Sequence, residues 1–301
     1  MISIAHISDI HLSPLPPVSL PELFSKRITG FANWKLNRNK NMQTDILSNL
    51  VKHLKQKDPD LITITGDLVN LSTNKEFEQA ANWIKAFGSS KKICTIAGNH
   101  DAYIAGSLEK FEQAMGNYIK GEMIEKAPYP FVRRIKNVAI INCNSAVPTL
   151  PFFASGKFDE AQAKRLTTSL ELTKKAGYFR IVTIHHPPFE EEANKIKKGL
   201  RGAKLFRDVI EQSGAELILH GHTHRSTVNS IKGLASDISG SEVPVIGVTS
   251  ASADSLSEKG PARYNLFSIE KRGKKFSCTM REYGYQRIGE DITMRLKMSI
   301  Y

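Results

Sequence analysis

Seven short, β-branched runs recur along the chain, and most of them lead directly into residues that can bind a metal. No other feature limits the possible folds as strongly. The runs are Ile2–Ser8, Leu61–Thr65, Ile93–Ala97, Val138–Cys143, Ile181–Ile184, Leu217–His220 and Val245–Thr249. Helical periodicity separates most of them. Gln43–Lys57 sets Ile46, Leu47, Leu50, Val51 and Leu54 on one face. Thr73–Phe87 does the same with Phe77, Ala80, Ala81, Ile84 and Phe87, and Ser72 or Thr73 is placed to cap it. Asp159–Ala176 and Ala203–Ser213 stop at Gly177 and Gly214. Two further strands, Tyr264–Ile269 and Lys275–Arg281, have no helix between them and predict a hairpin turning around Gly273. This order predicts an α/β core completed by an antiparallel C-terminal β element at about 262–285. With no repeat, low-complexity tract or linker, the expectation is a single domain over 1–301. A basic, aromatic insertion at about 14–42 interrupts it.

The strand ends share one chemistry. Asp9-Ile10-His11 follows the first run, Gly66-Asp67 the second and Gly98-Asn99-His100-Asp101 the third. The run at Ile181 leads into His185-His186-Pro187, and that at Leu217 into Gly221-His222-Thr223-His224. In extended backbone, residues two apart share a face, so Asp9 with His11, and His222 with His224, can present donors together. Ligands collect at such strand ends in open α/β sheets. By chance, Asp-x-His arises in about a third of chains this long, Gly-His-x-His in roughly one in a hundred and Gly-Asn-His-Asp in about one in a thousand. A lone His or Asp at a strand end is more often a structural hydrogen-bonder. The ordered set points to metal chemistry.

This series resembles that of the calcineurin-like metallophosphoesterase superfamily: Asp-x-His, Gly-Asp, Gly-Asn-His-Asp, His and Gly-His-x-His. Every position is filled between Asp9 and His224. The resemblance implies a four-layer α/β/β/α sandwich with two metal ions above the strand ends. It implies that Asp9, His11 and His224 hold one ion, that Asn99, His185 and His222 hold the other, and that Asp67 bridges them. On spacing alone His186 could exchange roles with His185; the resemblance selects His185. His100 would stay off the metals, near the scissile phosphate, to donate a proton to the leaving alkoxide or to stabilise developing charge. Asp101 is placed to orient that imidazole. Gly66, Gly98 and Gly221 would permit tight turns at the metals.

Elementary chemistry supports this division. A phosphate ester and its attacking hydroxide are both anionic, and two ions ~3.5–4 Å apart can clamp the phosphoryl oxygens and lower the pKa of a bridging water. Imidazole, carboxylate and amide ligands suit two divalent or mixed-valence ions, Mn, Fe or Zn, with no thiolate to favour softer ones. Of the other histidines, His6 and His220 read as core groups within strands, and His53, beside Lys52 on a helix, as solvated.

The excess of 42 Lys+Arg over 30 Asp+Glu gives a charge of +12 and calls for an anionic partner. A phosphate-ester small molecule answers to that description. Part of the excess lies in the insertion, at Lys26, Arg27, Lys35, Arg38 and Lys40, and part at Lys195, Lys197, Lys198, Arg201 and Lys204, after the acids Glu190–Glu192. Ser19-Leu20-Pro21-Glu22 fits a capping box. Leu20, Phe24, Ile28 and Phe31 recur at helical spacing, with Trp34 beyond. Such a segment can lie on an anionic membrane or cover a lipid-bearing substrate. The favoured alternative is that its apolar stripe packs on the protein's own surface or on a second subunit, with the lysines solvated. The loop Ala146–Gly156, with Val147, Leu150, Phe152 and Phe153, either walls the site or, the preferred reading, folds back over the core.

Three scattered cysteines, Cys94, Cys143 and Cys278, form no disulfide framework and suit a reducing cytosol. No run approaches the ~18 apolar residues of a membrane span. The expected location is therefore cytoplasmic, with peripheral contact at the inner membrane face kept open and the oligomeric state unspecified. The leading function is a dinuclear metal-dependent phosphodiesterase, with a cyclic nucleotide among its candidate substrates. The alternative is a hydrolase similar to UDP-2,3-diacylglucosamine pyrophosphatases, acting at the membrane surface. A nuclease fits the charge, but no DNA-binding module or aromatic-basic track accompanies it. A non-catalytic scaffold ranks lowest, because scaffolds can lose ligands and this chain keeps all of them.

Overall fold

Helices, two sheets and helices again form four successive layers, built on the β-branched runs. The computed structural model describes residues 1–35, 44–189, 195–233, 242–254, 257–273, 275–286 and 291–301. The first sheet orders its strands Thr293–Ser299, Lys275–Gly284, Arg263–Arg272, Ile2–Ile7, Leu61–Ile64, Ile93–Thr95. The second runs Thr227–Lys232, Glu242–Gly247, Leu217–His220, Phe179–Thr183, Val138–Asn142, Phe131–Ile135, Glu122–Met123. In each, the strands that lead to candidate ligands are parallel, with Ile4 opposite Leu61, Ile62 opposite Ile93 and Ile181 opposite Leu217. Their C-terminal ends therefore collect on one edge, where ligand sites form in parallel sheets.

Period-two alternation decides which side chain enters which layer. Ile2, Ile4 and Leu61 from the first sheet meet Ile140, Ile181 and Leu219 from the second in one buried cluster between the sheets. The alternate residues Ala5, Ile7, Ile62 and Ile64 face outward onto Leu50 and Leu54 of helix Thr44–Gln56 and Phe77 and Ile84 of helix Asn74–Phe87. On the other side Ile141, Val182 and Ile218 meet Leu166 and Leu170 of Glu160–Lys175, and Phe206 and Ile210 of Ala203–Ser213. Among the described residues, no helix is long and apolar enough to cross a membrane.

The helix signals in the sequence act as expected. Thr73 is the N-cap of Asn74–Phe87, accepting from Glu76 N, and the Glu76 carboxylate bonds back to Thr73 N. Asp159 caps Glu160–Lys175, accepting from Gln162 N. Gly177 and Gly214 follow their helices with positive φ. Other elements were not evident. Thr227–Lys232 and Thr293–Ser299 are exposed edge strands; Asn229-Ser230 interrupts the alternation of the first, and the second, in which Met294, Leu296 and Met298 alternate with polar residues, adds a third strand to the predicted C-terminal hairpin. Helix Ser107–Met115 and strand Phe131–Ile135 also went unread.

The insertion departs most from expectation. Over its described residues the apolar spacing falls on two short helices, Leu20–Leu23 and Arg27–Asn33, broken where Phe24 leaves helical geometry. Leu20, Phe24 and Ile28 do not pack on the chain: they are 76%, 89% and 58% exposed, whereas Arg27 is buried. Lys26 and Arg27 turn inward and these three apolar side chains outward, because Lys26 and Arg27 find backbone carbonyls to bind. Arg38 and Lys40 lie outside the described residues, as do Glu190–Glu192. In the loop after Val138–Asn142, Ala146 is buried but Leu150 and Phe152 are exposed, so only part of it folds over the core. His53 is not simply solvated either, since its Nδ1 is 2.9 Å from Tyr264 Oη and its ring lies against Tyr283.

Candidate metal centre

Three of the strands that end at this edge, Ile2–Ile7, Leu61–Ile64 and Leu217–His220, deliver their polar residues through an unusual backbone. Asp9, His11, Asp67, His222 and His224 all have φ between 42° and 66°, the left-handed region that side-chain-bearing residues seldom occupy. Only Gly66, at φ 99°, supplies the turn freedom expected of the glycines. The need at Gly98 and Gly221 is space: a Cβ on Gly98 would overlap the Asp67 carboxylate, and one on Gly221 would overlap Ser8 Oγ.

The side chains converge in two groups. Asp9, His11, Asp67 and His224 bring their donor atoms within 4.8 Å of one another. His224 Nε2 is 3.1 Å from Asp9 Oδ1, and His11 Nε2 is 3.4 Å from His224 Nε2. The second group joins His185, His186 and His222. Asn99 Oδ1 sits among them, 3.2 Å from His185 Nε2 and 2.8 Å from His222 Nδ1. Asp67 lies between the groups, its Oδ2 3.7 Å from His11 Nε2 and 3.4 Å from His185 Nε2.

Backbone carbonyls set the imidazoles. Nδ1 lies 3.2 Å from Val69 O in His11 and 2.6 Å from Thr65 O in His185, while Nε2 of His222 lies 3.0 Å from Lys198 O. An N–H donated to a carbonyl leaves the other ring nitrogen as a lone pair facing the group. His186 differs: Ser145 Oγ at 2.7 Å and Ala154 O at 3.1 Å occupy both its nitrogens. Geometry thus favours His185 over His186 as a donor.

His100 and Asp101 belong to neither donor group, although the His100 ring meets His11 edge-on with centroids 4.9 Å apart. The His100 N–H donates to Asp67 Oδ1 at 2.7 Å, and its ring Nδ1 is 2.6 Å from Asn70 O. Asp101 does not orient that ring as expected. Its carboxylate instead accepts from the N–H groups of Asp67, Leu68, Val69 and Gly98, tying two ligand loops together. Asn70, whose carbonyl holds His100, was missed, and nothing in a sequence marks a carbonyl for such a role.

Charge in the centre is unbalanced without a cation. Burial pushes the Asp9 and Asp67 carboxyls up, yet facing imidazoles, His224 for Asp9 and His185 for Asp67, hold both well below the usual range. Burial likewise pushes His185 down, but the charge of Asp67 raises it to about 9. Burial and the neighbouring histidines lower His186 to about 3 and His222 well below its ordinary value. Asp9 Oδ1 is buried and accepts no well-aligned hydrogen bond. Two buried carboxylates, one orphaned oxygen and inward-facing imidazole and amide donors fit divalent cations. Beside them opens a cavity of about 270 Å³ whose lining includes Asn99, His100, His222, Phe189, Lys198 and Arg225.

Comparisons with known proteins agree with this picture. The family model described as calcineurin-like phosphoesterase matches residues 2–226. A probable cyclic nucleotide phosphodiesterase from Synechococcus sp. is 24% identical over 230 residues, 75% of each chain. A protein of the same description from Rhodococcus erythropolis is 23% identical over 188 residues, covering 61% of this chain and 57% of that one. A dimetal phosphatase from Danio rerio has the same fold, with TM-score 0.57 at 12% identity over 100% of this chain and 99% of the other. A purple acid phosphatase from yellow lupin gives 0.56 at 11% identity, covering 97% and 53%.

Proposed function

Because the chain belongs to the calcineurin-like phosphoesterase family and is a metal-dependent phosphoric ester hydrolase, we propose that it is a dinuclear phosphodiesterase acting on a cyclic nucleotide. In this reading Asp9, His11 and His224 hold one ion, Asn99, His185 and His222 hold the other, and Asp67 serves both. The carrying observation is the position of Asp67, with one oxygen facing a histidine of each group. Mn, Fe or Zn suits these donors, and when bound would supply Lewis acidity and an activated water.

The chain's own part is positioning and proton transfer. His100, tied at Nδ1 to Asn70 O and lining the cavity, is the proton donor to the leaving oxygen. Asp101 is a brace for the loops of Asp67 and Gly98 rather than a partner in the chemistry. The names of the two relatives and the modest cavity favour a small nucleotide diester. A panel of cyclic nucleotides, nucleotide-linked lipids, phosphomonoesters and DNA, assayed with Mn, tests this. A cyclic nucleotide should give the highest kcat/KM; a higher value for any other class replaces it.

One observation favours a second reading. Leu20, Phe24 and Ile28 of the insertion, and Leu150 and Phe152 of the adjoining loop, are large apolar side chains left exposed beside the site. They suit a lipid-bearing substrate such as the UDP-linked diacylglucosamine, met at a membrane surface. Flotation with anionic vesicles and turnover of that lipid are expected together under this reading, and failure of both removes it.

A further inference from the structure

The insertion is fastened to the loop that carries His100. Arg27 donates through its guanidinium to Leu71 O at 2.8 Å and to Ser72 O at 2.5 Å. Ser72 Oγ in turn donates to His100 O at 2.6 Å and accepts from Tyr103 N at 3.2 Å. Gly30 lies so close to Tyr103 that a Cβ there would overlap Tyr103 Oη and come within 2.9 Å of its Cζ. Lys26 completes the contact. Its ammonium sits 4.4 Å from the Tyr103 ring centroid and donates to Thr149 Oγ1 at 2.6 Å and Phe153 O at 2.7 Å. Two N–H donors are thus used, and the aromatic face meets the rest of the charge. Tyr103 stacks on His100, with ring centroids 5.3 Å apart and planes 15° from parallel.

We propose that the insertion is a strut for the proton donor, with Lys26 acting through Tyr103 as a positioning residue that fixes the plane of the His100 imidazole. This rests on His100 being the donor in the proposed reaction. The hydrogen bond from Nδ1 to Asn70 O anchors one atom of the ring and His11 meets it edge-on, with centroids 4.9 Å apart, so tilt of the plane toward or away from Tyr103 is what the stack has to limit. A stacked Tyr103, itself pinned between Gly30 and the Lys26 ammonium, removes the tilt. Burial lowers Lys26 to about 8 while Asp67 acts in the opposite sense, so the ammonium is the main form at neutral pH.

In the step concerned, an oxygen from water bonds to phosphorus as the bond from phosphorus to the leaving oxygen breaks, and the electron pair of the broken bond stays on the leaving oxygen. His100, as an imidazolium whose Nδ1–H stays on Asn70 O, gives its Nε2 proton to that oxygen, and the proton lost by the attacking water later restores the ring. A good leaving group departs without that proton; a poor one needs it. Misplacement of a reacting group by 1 Å can cost about a hundredfold, so a partial tilt should cost about tenfold where the proton matters.

The test compares Mn-loaded wild-type protein with Lys26→Met, Lys26→Arg and Gly30→Ala on bis(4-nitrophenyl) phosphate and diphenyl phosphate, whose phenolate is the poorer leaving group. Lys26→Met should lower kcat on diphenyl phosphate about tenfold and on the nitrophenyl ester less than about twofold, with KM and metal content unchanged. Lys26→Arg should restore the loss, and Gly30→Ala, whose Cβ would press on Tyr103 Oη and Leu71 Cδ2 without touching the charge, should reproduce it. In the metal-free protein the His100 imidazole resonances should shift in Lys26→Met and return in Lys26→Arg. Equal losses on both esters, a loss confined to KM, or unmoved resonances would overturn the strut. If His100→Ala itself shows no dependence on leaving group, the reading of His100 fails whatever Lys26 does.

Discussion

The same two strands bury charge at both ends, and they do so differently. At its start, strand Phe179–Thr183 carries Arg180, and Glu216 immediately precedes strand Leu217–His220. Each side chain is 2% exposed. The guanidinium grips both carboxylate oxygens, at 2.6 and 2.9 Å, and donates also to Ser213 O. At their other ends these strands lead to His185, His222 and His224, which face Asp67 and Asp9. Among the described residues, the carboxylates there meet imidazoles and backbone N–H groups, and Asp9 Oδ1 has no aligned donor. One end is closed electrostatically by the chain itself. The other keeps a deficit of positive charge that a ligand must make up, and this separates a structural ion pair from a binding site more clearly than burial does.

The contrast is broken most directly by removing a carboxylate from each end. Asp67→Ala should lower turnover of a chromogenic phosphodiester by at least about a thousandfold, more than the loss of a single oxyanion donor costs. Melting of the metal-free protein should barely change, and near-native turnover would sink the two-ion reading. Glu216→Ala should do the reverse, costing about 3–5 kcal/mol of stability in denaturant titration while the folded fraction keeps its kcat. Arg180→Met with Glu216→Leu should recover most of that loss, because an apolar pair of similar shape needs no charge balance.

Metal provides a finer comparison. Mn at a hundredfold above its Kd should stabilise the wild-type protein by about 2.7 kcal/mol in thermal melts, and a chelator should reverse it. Asp67→Asn should abolish that response without lowering the melting temperature of the metal-free chain. The smallest effect is that of pH. With His185 raised to about 9 by Asp67, the metal-free chain holds a proton there at neutral pH, and an ion must displace it. Affinity by calorimetry should therefore weaken by about tenfold per pH unit as pH falls from 9 toward neutrality, with release of one proton. No change in proton release between buffers would place that proton elsewhere.

How much of this could be read from residues alone follows from which interactions a sequence encodes. Strand runs, helix caps at Thr73 and Asp159, and stops at Gly177 and Gly214 rest on local preferences, so the layers were legible. The meeting of Asp9, Asp67, Asn99 and the histidines was legible because each follows a strand and parallel strands align their ends. What orients them was not. Val69 O, Thr65 O, Lys198 O and Asn70 O are backbone atoms, identical in every residue type. Asp101 misled for a related reason: adjacency to His100 suggested a partner, but its carboxylate turns to four N–H groups. Polarity along the insertion misled too. Helical spacing groups Leu20, Phe24 and Ile28 correctly, but cannot foresee that carbonyls would draw Lys26 and Arg27 inward.

Each group of candidate donors takes members from both sheets: Asp9, His11, Asp67 and Asn99 follow strands of the first, and His185, His222 and His224 follow strands of the second. The spacing of the donors is thus also the offset of one sheet against the other. Sliding between sheets would act on the centre as a shear, pulling the two halves of each donor set apart together. What resists that shear lies partly at the opposite end of the sandwich, where Phe179 is wedged against Phe276 and Tyr301. Residues that never approach the substrate therefore act as its ruler.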